Sequence, residues 1–249
     1  MQDHRIRVYQ TAEHPCGYFK DRVARDLVLD PHDSALSDVY AGALAMGFRR
    51  SGGHVYRPRC PQCSACQAVR IDCRRFAPNR ALRRNLRRNA DVQLEVVPFS
   101  VDEASFDLYR RYVGHRHAGG GMDQGDLFDF AGFTRCAWSP TLAFRFTLED
   151  RLIAMAVTDR VDDGISAVYT FYDPLLDKRG LGTHAILRQA TWAAAQGVRF
   201  LYLGFWIKGH PKMDYKSRFP ATESLSNGRW TPLTDAPRDP IDPPGAAQA

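Results

Sequence analysis

The chain has 249 residues, 44% of them hydrophobic and 25% charged, which excludes both a disordered low-complexity protein and a membrane-embedded one. Thirty-four Lys plus Arg against 28 Asp plus Glu give a net charge of +6, so a polyanionic partner is compatible but not required. The opening MQDHRIRVYQ lacks the apolar core of a signal peptide and no run approaches about 18 apolar residues, so a cytoplasmic location is expected. In that compartment the six cysteines are not read as a disulfide framework.

In chain order, His14-Pro15-Cys16-Gly17 is a turn and Arg25–Leu29 a short strand. Ser34–Met46 has helical apolar spacing at Leu36, Val39, Tyr40, Ala43 and Leu44, with Ser34 as N-cap and Gly47 as stop. Strands over Phe48–Tyr56 and Ala68–Cys73 flank Cys60-Pro-Gln-Cys63-Ser-Ala-Cys66, a knuckle spacing that suits a tetrahedral metal if Cys16, Cys73 or a histidine completes it. Buried free thiols are the alternative reading.

Pro78–Asn89 is a second helix. Arg83, Arg84, Arg87 and Arg88 gather on one face, Leu82 and Leu86 form the anchoring stripe, and no acidic residue lies within it. Four such guanidiniums suit RNA phosphate. After a strand at Val92–Val97 comes an amphipathic helix over Asp102–Tyr112, followed by His117 and the triple glycine 119–121. Leu142–Leu148 and Leu152–Thr158 form a hairpin, Ile165–Tyr172 is a third strand, and a helix runs from the Lys178–Thr183 turn to about Gln196. The next strand is Arg199–Trp206.

Strand, strand, strand, glycine turn, helix, strand is the order of the acyl-CoA N-acyltransferase (GNAT) core, in which backbone N–H groups of the glycine turn hold phosphate. Arg179, Gly180 and Gly182 match that turn in part, since His184 stands where Gly or Ala is usual. Beyond this strand, Tyr202–Phe219 carries three of the five lysines, Lys208, Lys212 and Lys216, with Arg218, Asp214 and Tyr215. One more strand is expected near Ser224–Trp230, and residues 232–249 read as a disordered Pro/Ala-rich tail.

The segments HPCGYFKDRVARDLVLDP, MGFRRSGGHVYRPRCPQCSAC, RHAGGGMD, YTFYDPLLDKRGLGTHAILRQ and LGFWIKGHPKMDYKSRF resemble those of bacterial aspartate/glutamate leucyltransferases, a family similar to eukaryotic arginyl-tRNA–protein transferases. The resemblance covers about residues 10 to 230. It implies transfer of an amino acid, leucine favoured, from aminoacyl-tRNA to the N-terminal amine of proteins beginning with Asp or Glu, marking them for degradation through the N-degron pathway. It also implies an α+β fold: a GNAT-like catalytic domain (91–231) after a smaller Cys-containing N-terminal α+β unit (1–90). In eukaryotic relatives the cysteine-rich region is linked to an iron–sulfur cluster, which makes Cys16, Cys60, Cys63 and Cys66 candidate ligands for zinc or a cluster.

Aminolysis of an activated ester needs neither a covalent nucleophile nor a cofactor. Lys212, Lys216 and Arg218 are candidates to hold the acidic acceptor side chain. Tyr215 or Tyr172 is a candidate acid for the departing ribose oxygen, and Asp173 or His117 a candidate base. Arg83, Arg84, Arg87, Arg88, Arg179, Gly180 and Gly182 are assigned to tRNA. The competing readings are arginine as donor, an acetyl-CoA-dependent GNAT acyltransferase, a cell-wall peptide aminoacyl transferase, and a non-catalytic metal-dependent RNA-binding module.

Overall fold

The computed structural model describes residues 5–116 and 125–233. His117, the triple glycine and almost all of the expected tail lie outside the described residues. The N-terminal part contains β1 (Val8–Gln10), the short pair β2 (His14–Pro15) and β3 (Val23–Ala24), β4 (Asp26–Leu29), α1 (Leu36–Ala45), β5 (Arg49–Ser51) and β6 (His54–Pro58). There follow β7 (Gln67–Asp72), α2 (Arg80–Arg88), β8 (Gln93–Pro98), α3 (Glu103–Arg116), α4 (Leu127–Thr134), β9 (Thr141–Leu148), β10 (Arg151–Arg160) and β11 (Gly164–Tyr172). The last elements are α5 (Leu181–Ala195), β12 (Phe200–Trp206), β13 (Thr222–Ser226) and β14 (Arg229–Pro232).

The mixed α+β reading holds, and the expected strand–helix–strand order is present. An eight-stranded sheet runs β14-β13-β7-β12-β11-β10-β9-β8, and a four-stranded sheet runs β1-β4-β6-β5. β10 is buried at every position between Arg151 and Arg160, as a strand covered on both faces must be. On one face, Leu181, Ala185 and Leu187 of α5 pack over Ile153, Ala154 and Leu201. On the other, Leu108, Tyr109 and Val113 of α3 pack over Met155, Val157 and Phe171. No helix among the described residues is long and apolar enough to cross a membrane.

Three local readings change. The α1 entry uses Asp33, whose carboxylate accepts the Ala35 N–H, rather than Ser34 as cap. The single strand expected near Ser224–Trp230 is a hairpin, β13–β14, turning at Asn227-Gly228 with φ of 48° and 74°. Asn-Gly is the dipeptide that tolerates two left-handed residues in a tight turn. The third concerns residues 67–72, expected in the N-terminal unit: β7 hydrogen-bonds between β12 and β13 inside the large sheet.

The smaller sheet is held to the large one by a fully buried ion pair. Arg50 on β5 donates from Nε and Nη2 to Asp159 on β10 at 2.5 and 2.6 Å, and Tyr40 and Thr141 donate hydroxyls to the same carboxylate at 2.8 and 2.9 Å. Arg50 also reaches the carbonyls of Gly52 and Thr134. Because side chains alternate along a strand, its neighbour Arg49 is sent to the opposite face.

Candidate active site

β11 and β12 run parallel and pair only at Gly164↔Phe200, Ile165↔Leu201 and Ser166↔Tyr202. Beyond that point β11 follows β10 to Tyr172 and β12 follows β7 to Trp206. Both strands carry an irregularity just past the last pair. Val168 is the extra residue between Ala167↔Thr158 and Tyr169↔Val157, and the β12–β7 register slips between Tyr202 and Gly204, where Gly204 has φ 72°. Bulges bend strands, and here they open a fork between the carboxyl ends of two parallel strands.

The fork is lined by cations and phenols. The Arg49 guanidinium enters from β5 and donates from Nη2 to the Val168 carbonyl at 3.2 Å. It lies so close to Gly204 that a Cβ there would stand 2.9 Å from Nη1, so only glycine leaves it room. Lys216 donates from Nζ to the Phe205 carbonyl, and its residue is only 5% exposed. Burial, reinforced by repulsion from Arg49, lowers the Lys216 pKa to about 7. Arg116 donates to the Tyr172 hydroxyl at 2.9 Å, Tyr112 packs edge-on to Tyr172 at 4.9 Å, and burial raises the Tyr215 pKa. Arg49 acts on both Tyr215 and Lys216 and Arg116 on both Tyr112 and Tyr215, while the Cys66 thiol acts on Lys216 in the opposite sense to Arg49.

The lysine-rich segment folds back on this fork as a turn and a short 3₁₀ helix, Asp214–Arg218, with Asp214 accepting from Trp206 Nε1 and the Gly209 N–H. A 3₁₀ helix repeats every three residues, so Met213, Lys216 and Phe219 share the buried side. Lys212 and Arg218 fall on the exposed side. The three cations assigned together from sequence are thus divided by helical period, and Lys216 is joined instead by Arg49, from 167 residues upstream. The sequence reading missed Arg49 and Arg116. The Arg49-Arg50 doublet in a short strand was the available signal, since alternation sends one of the two inward.

Asp173 is buried, with Oδ1 capping the short 3₁₀ helix Pro174–Arg179 through the Leu175 N–H and Oδ2 standing 3.0 Å from Arg151. Its carboxylate is therefore engaged as a cap. The glycine turn and the arginine helix, separate in sequence, are joined. Asn85 and Asn89 donate to the Arg179 carbonyl, Asn85 also to that of Gly180, and Arg88 to that of Lys178. Arg179 makes a bidentate pair with Asp91 at 2.8 and 2.9 Å, and Gly182 lies under the Tyr172 ring. Asn79 caps the helix by accepting the Leu82 N–H, and Arg83 and Arg88 bond backbone carbonyls. Arg84 and Arg87 are exposed and make no ion pair among the described residues.

Cys16, Cys60, Cys63 and Cys66 line one cavity of about 30 Å³ with Phe19 and Arg22. A hydrogen bond from the Ala65 backbone, with help from Arg22 at 3.3 Å, lowers the Cys63 pKa, whereas burial and the neighbouring thiols push Cys66 up to about 12. Among the described residues no group of three or more Cys, His, Asp or Glu side chains is arranged to hold a metal ion. No chemical step is assigned to a metal or cluster at these thiols.

His184 is buried in the first turn of α5 against Phe146, with both ring nitrogens lacking a partner among the described residues. Burial, helped by Arg188, lowers its pKa to about 4. The unfolded chain thus binds the extra proton between about pH 6.5 and 4, and this contribution to stability is present above 6.5 and lost as pH falls through that window. Replacing His184 by Leu should flatten the acid limb of a stability–pH curve by up to about 1.4 kcal/mol per pH unit. An unchanged limb in denaturant titrations at pH 5 and 7 would contradict it.

The chain matches the family model "Arginine-tRNA-protein transferase, N terminus" over residues 14–84 and its C-terminal counterpart over residues 104–226. It is 49% identical over 240 residues to an aspartate/glutamate leucyltransferase of Stenotrophomonas maltophilia, covering 94% of this chain and 96% of the relative. It is 45% identical over 235 residues to one of Xylella fastidiosa (92% of each chain). A Pseudomonas aeruginosa relative of the same name is 44% identical over 230 residues (92% and 98%). Among solved structures, FemX has a TM-score of 0.45 at 9% identity, covering 82% of this chain and 80% of that one. L-PGS from Bacillus licheniformis has a TM-score of 0.45 at 13% identity (72% and 53%).

Proposed function

Because the chain belongs to the arginine-tRNA–protein transferase family, with relatives named aspartate/glutamate leucyltransferase along nearly its whole length, we propose that it moves leucine from leucyl-tRNA to the N-terminal amine of cytoplasmic proteins beginning with Asp or Glu, feeding an N-degron pathway. The observation that carries this reading is the sign of the charge in the fork. Arg49, Arg116 and Lys216 surround it, each bonded to a neutral oxygen, and among the described residues none of the three is ion-paired with a carboxylate. An arginyl donor would need acidic residues there, whereas a leucyl donor needs none and an acidic acceptor benefits from cations.

The chemistry then falls to positioning and to the leaving group. An α-amine with a pKa of about 8 is already partly neutral at pH 7, so holding it against the ester carbonyl supplies much of the rate. The Tyr172 oxygen accepts from Arg116, which leaves its own O–H free to protonate the departing ribose oxygen. The proton shed by the newly bonded nitrogen restores Tyr172, and Arg116 stabilises charge on the phenol oxygen in between. Tyr215, close enough to Tyr172 to influence it, is the second phenol available to this transfer.

The tRNA body is assigned to the arginine helix and the adjoining glycine turn. Replacing Arg84 and Arg87 by Gln should raise the KM for leucyl-tRNA and reduce its logarithmic salt slope by about two, one per lost phosphate contact. The acceptor KM should stay constant; an unaltered salt slope would remove this face from the tRNA path. The whole reading is tested by incubating the protein with leucyl-tRNA or arginyl-tRNA and an Asp-starting peptide. Mass spectrometry should show addition of one leucine and no arginine, and absence of the leucyl product would refute it.

A further inference from the structure

Arg49 and Lys216 are neighbouring basic groups that have no carboxylate counterion among the described residues. Arg49 is half-buried and spends one hydrogen bond on the Val168 carbonyl; Lys216 is buried and spends one on the Phe205 carbonyl. Neither makes an ion pair with a carboxylate among the described residues, although the other buried cation of the same strand, Arg50, is fully paired with Asp159. Burial and repulsion from Arg49 disfavour the charged form of Lys216, and an entering anion relieves both by stabilising the two cations together. Four of the five guanidinium N–H groups of Arg49 remain for such a ligand.

The two carbonyls concerned lie on opposite prongs of the fork, Val168 on β11 and Phe205 on β12, so the cations bridge the gap where the strands part. The walls around them are phenolic: Tyr215 lies beside Lys216, its ring centroid 5.8 Å from Nζ, and Tyr18 is close enough for its pKa to respond to Arg49. The planar fork of donors on Arg49 suits a planar carboxylate, which it can hold with two parallel hydrogen bonds. The tRNA backbone already has exposed arginines on α2.

We propose that Arg49, backed by Lys216, is the specificity-determining residue that binds the side-chain carboxylate of the acceptor's first residue. The proposal rests on the leucyl-transfer reading and deepens it. Of the sequence assignment to Lys212, Lys216 and Arg218 it keeps Lys216 and exchanges the two exposed residues for Arg49.

The experiment is steady-state transfer from leucyl-tRNA by the full-length protein to matched peptides beginning with Asp, Glu or Asn, using wild type, Arg49→Gln and Arg49→Lys. Arg49→Gln should lower kcat/KM for the Asp and Glu peptides about 100-fold, the scale set by losing charge-assisted hydrogen bonds. The slow transfer to the Asn peptide should change little, so the Asp/Asn preference collapses while the KM for leucyl-tRNA is retained. Arg49→Lys, which keeps the charge but not the fork, should retain part of the preference and decides the matter if the Gln variant does not fold. An Asp/Asn preference equal to wild type in a folded variant overturns the proposal. A raised KM for leucyl-tRNA with that preference intact would reassign Arg49 to the tRNA end. Failure of the wild type to modify any peptide is a different result, because it removes the leucyl-transfer reading before a variant is considered.

Discussion

Asp159→Asn is expected to lower the stability of the folded protein by about 3–5 kcal/mol, because Arg50 would then be a fully buried charge with no counterion. For a chain of this size that corresponds to a fall in Tm on the order of 10 °C. Replacing both partners, Arg50→Met with Asp159→Leu, should cost less than Asp159→Asn alone, since no naked charge remains. Differential scanning calorimetry of the two variants gives the comparison, and a double variant less stable than Asp159→Asn would contradict it. Activity should suffer in Asp159→Asn even below its Tm, because β5 is positioned by Arg50 and it is β5 that delivers Arg49 to the fork.

Tyr172→Phe is expected to reduce kcat by about 100-fold or more while leaving both substrates' KM values near wild type, the pattern of an interaction made only in the transition state. The ring remains to pack against Gly182 and Tyr112, so the fold should be unaffected. Arg116→Gln, which takes a donor from the phenol oxygen, should show a smaller loss in the same direction. Single-turnover quench experiments with pre-bound leucyl-tRNA isolate the chemical step. Equal rates for wild type and Tyr172→Phe there would move the acid role to Tyr215.

The parts of the fold legible in sequence are those governed by local period. The β9–β10 hairpin across Glu149-Asp150, both with positive φ, the glycine stop of α5 at Gly197, and the Asn79-capped arginine helix all follow from turn residues and apolar spacing. The burial of Lys216 apart from Lys212 and Arg218 is not legible, because a 3₁₀ segment has no reliable sequence signature and its period of three decides which lysine is buried. The fork was illegible for a different reason. Its floor comes from β5, its rim from the end of α3 and its prongs from β11 and β12, and only tertiary packing brings these together. Asn227-Gly228, by contrast, is a turn signal legible in the sequence, and it splits the single expected strand into β13 and β14.

The placement of β7 has a consequence for how the molecule is made. Its partners are encoded far downstream: Arg70 on this strand is paired with Glu223, 153 residues later. On a ribosome the first third of the chain emerges with a strand whose two neighbours do not yet exist, and the large sheet can close only when the last strands are released. Such long-range closure slows folding and keeps a hydrophobic edge, Val69 and Ile71, exposed to chaperones throughout synthesis. It also joins residues 67–72 to residues 200–226 in one sheet, so a nick near residue 90 should leave two fragments that stay associated.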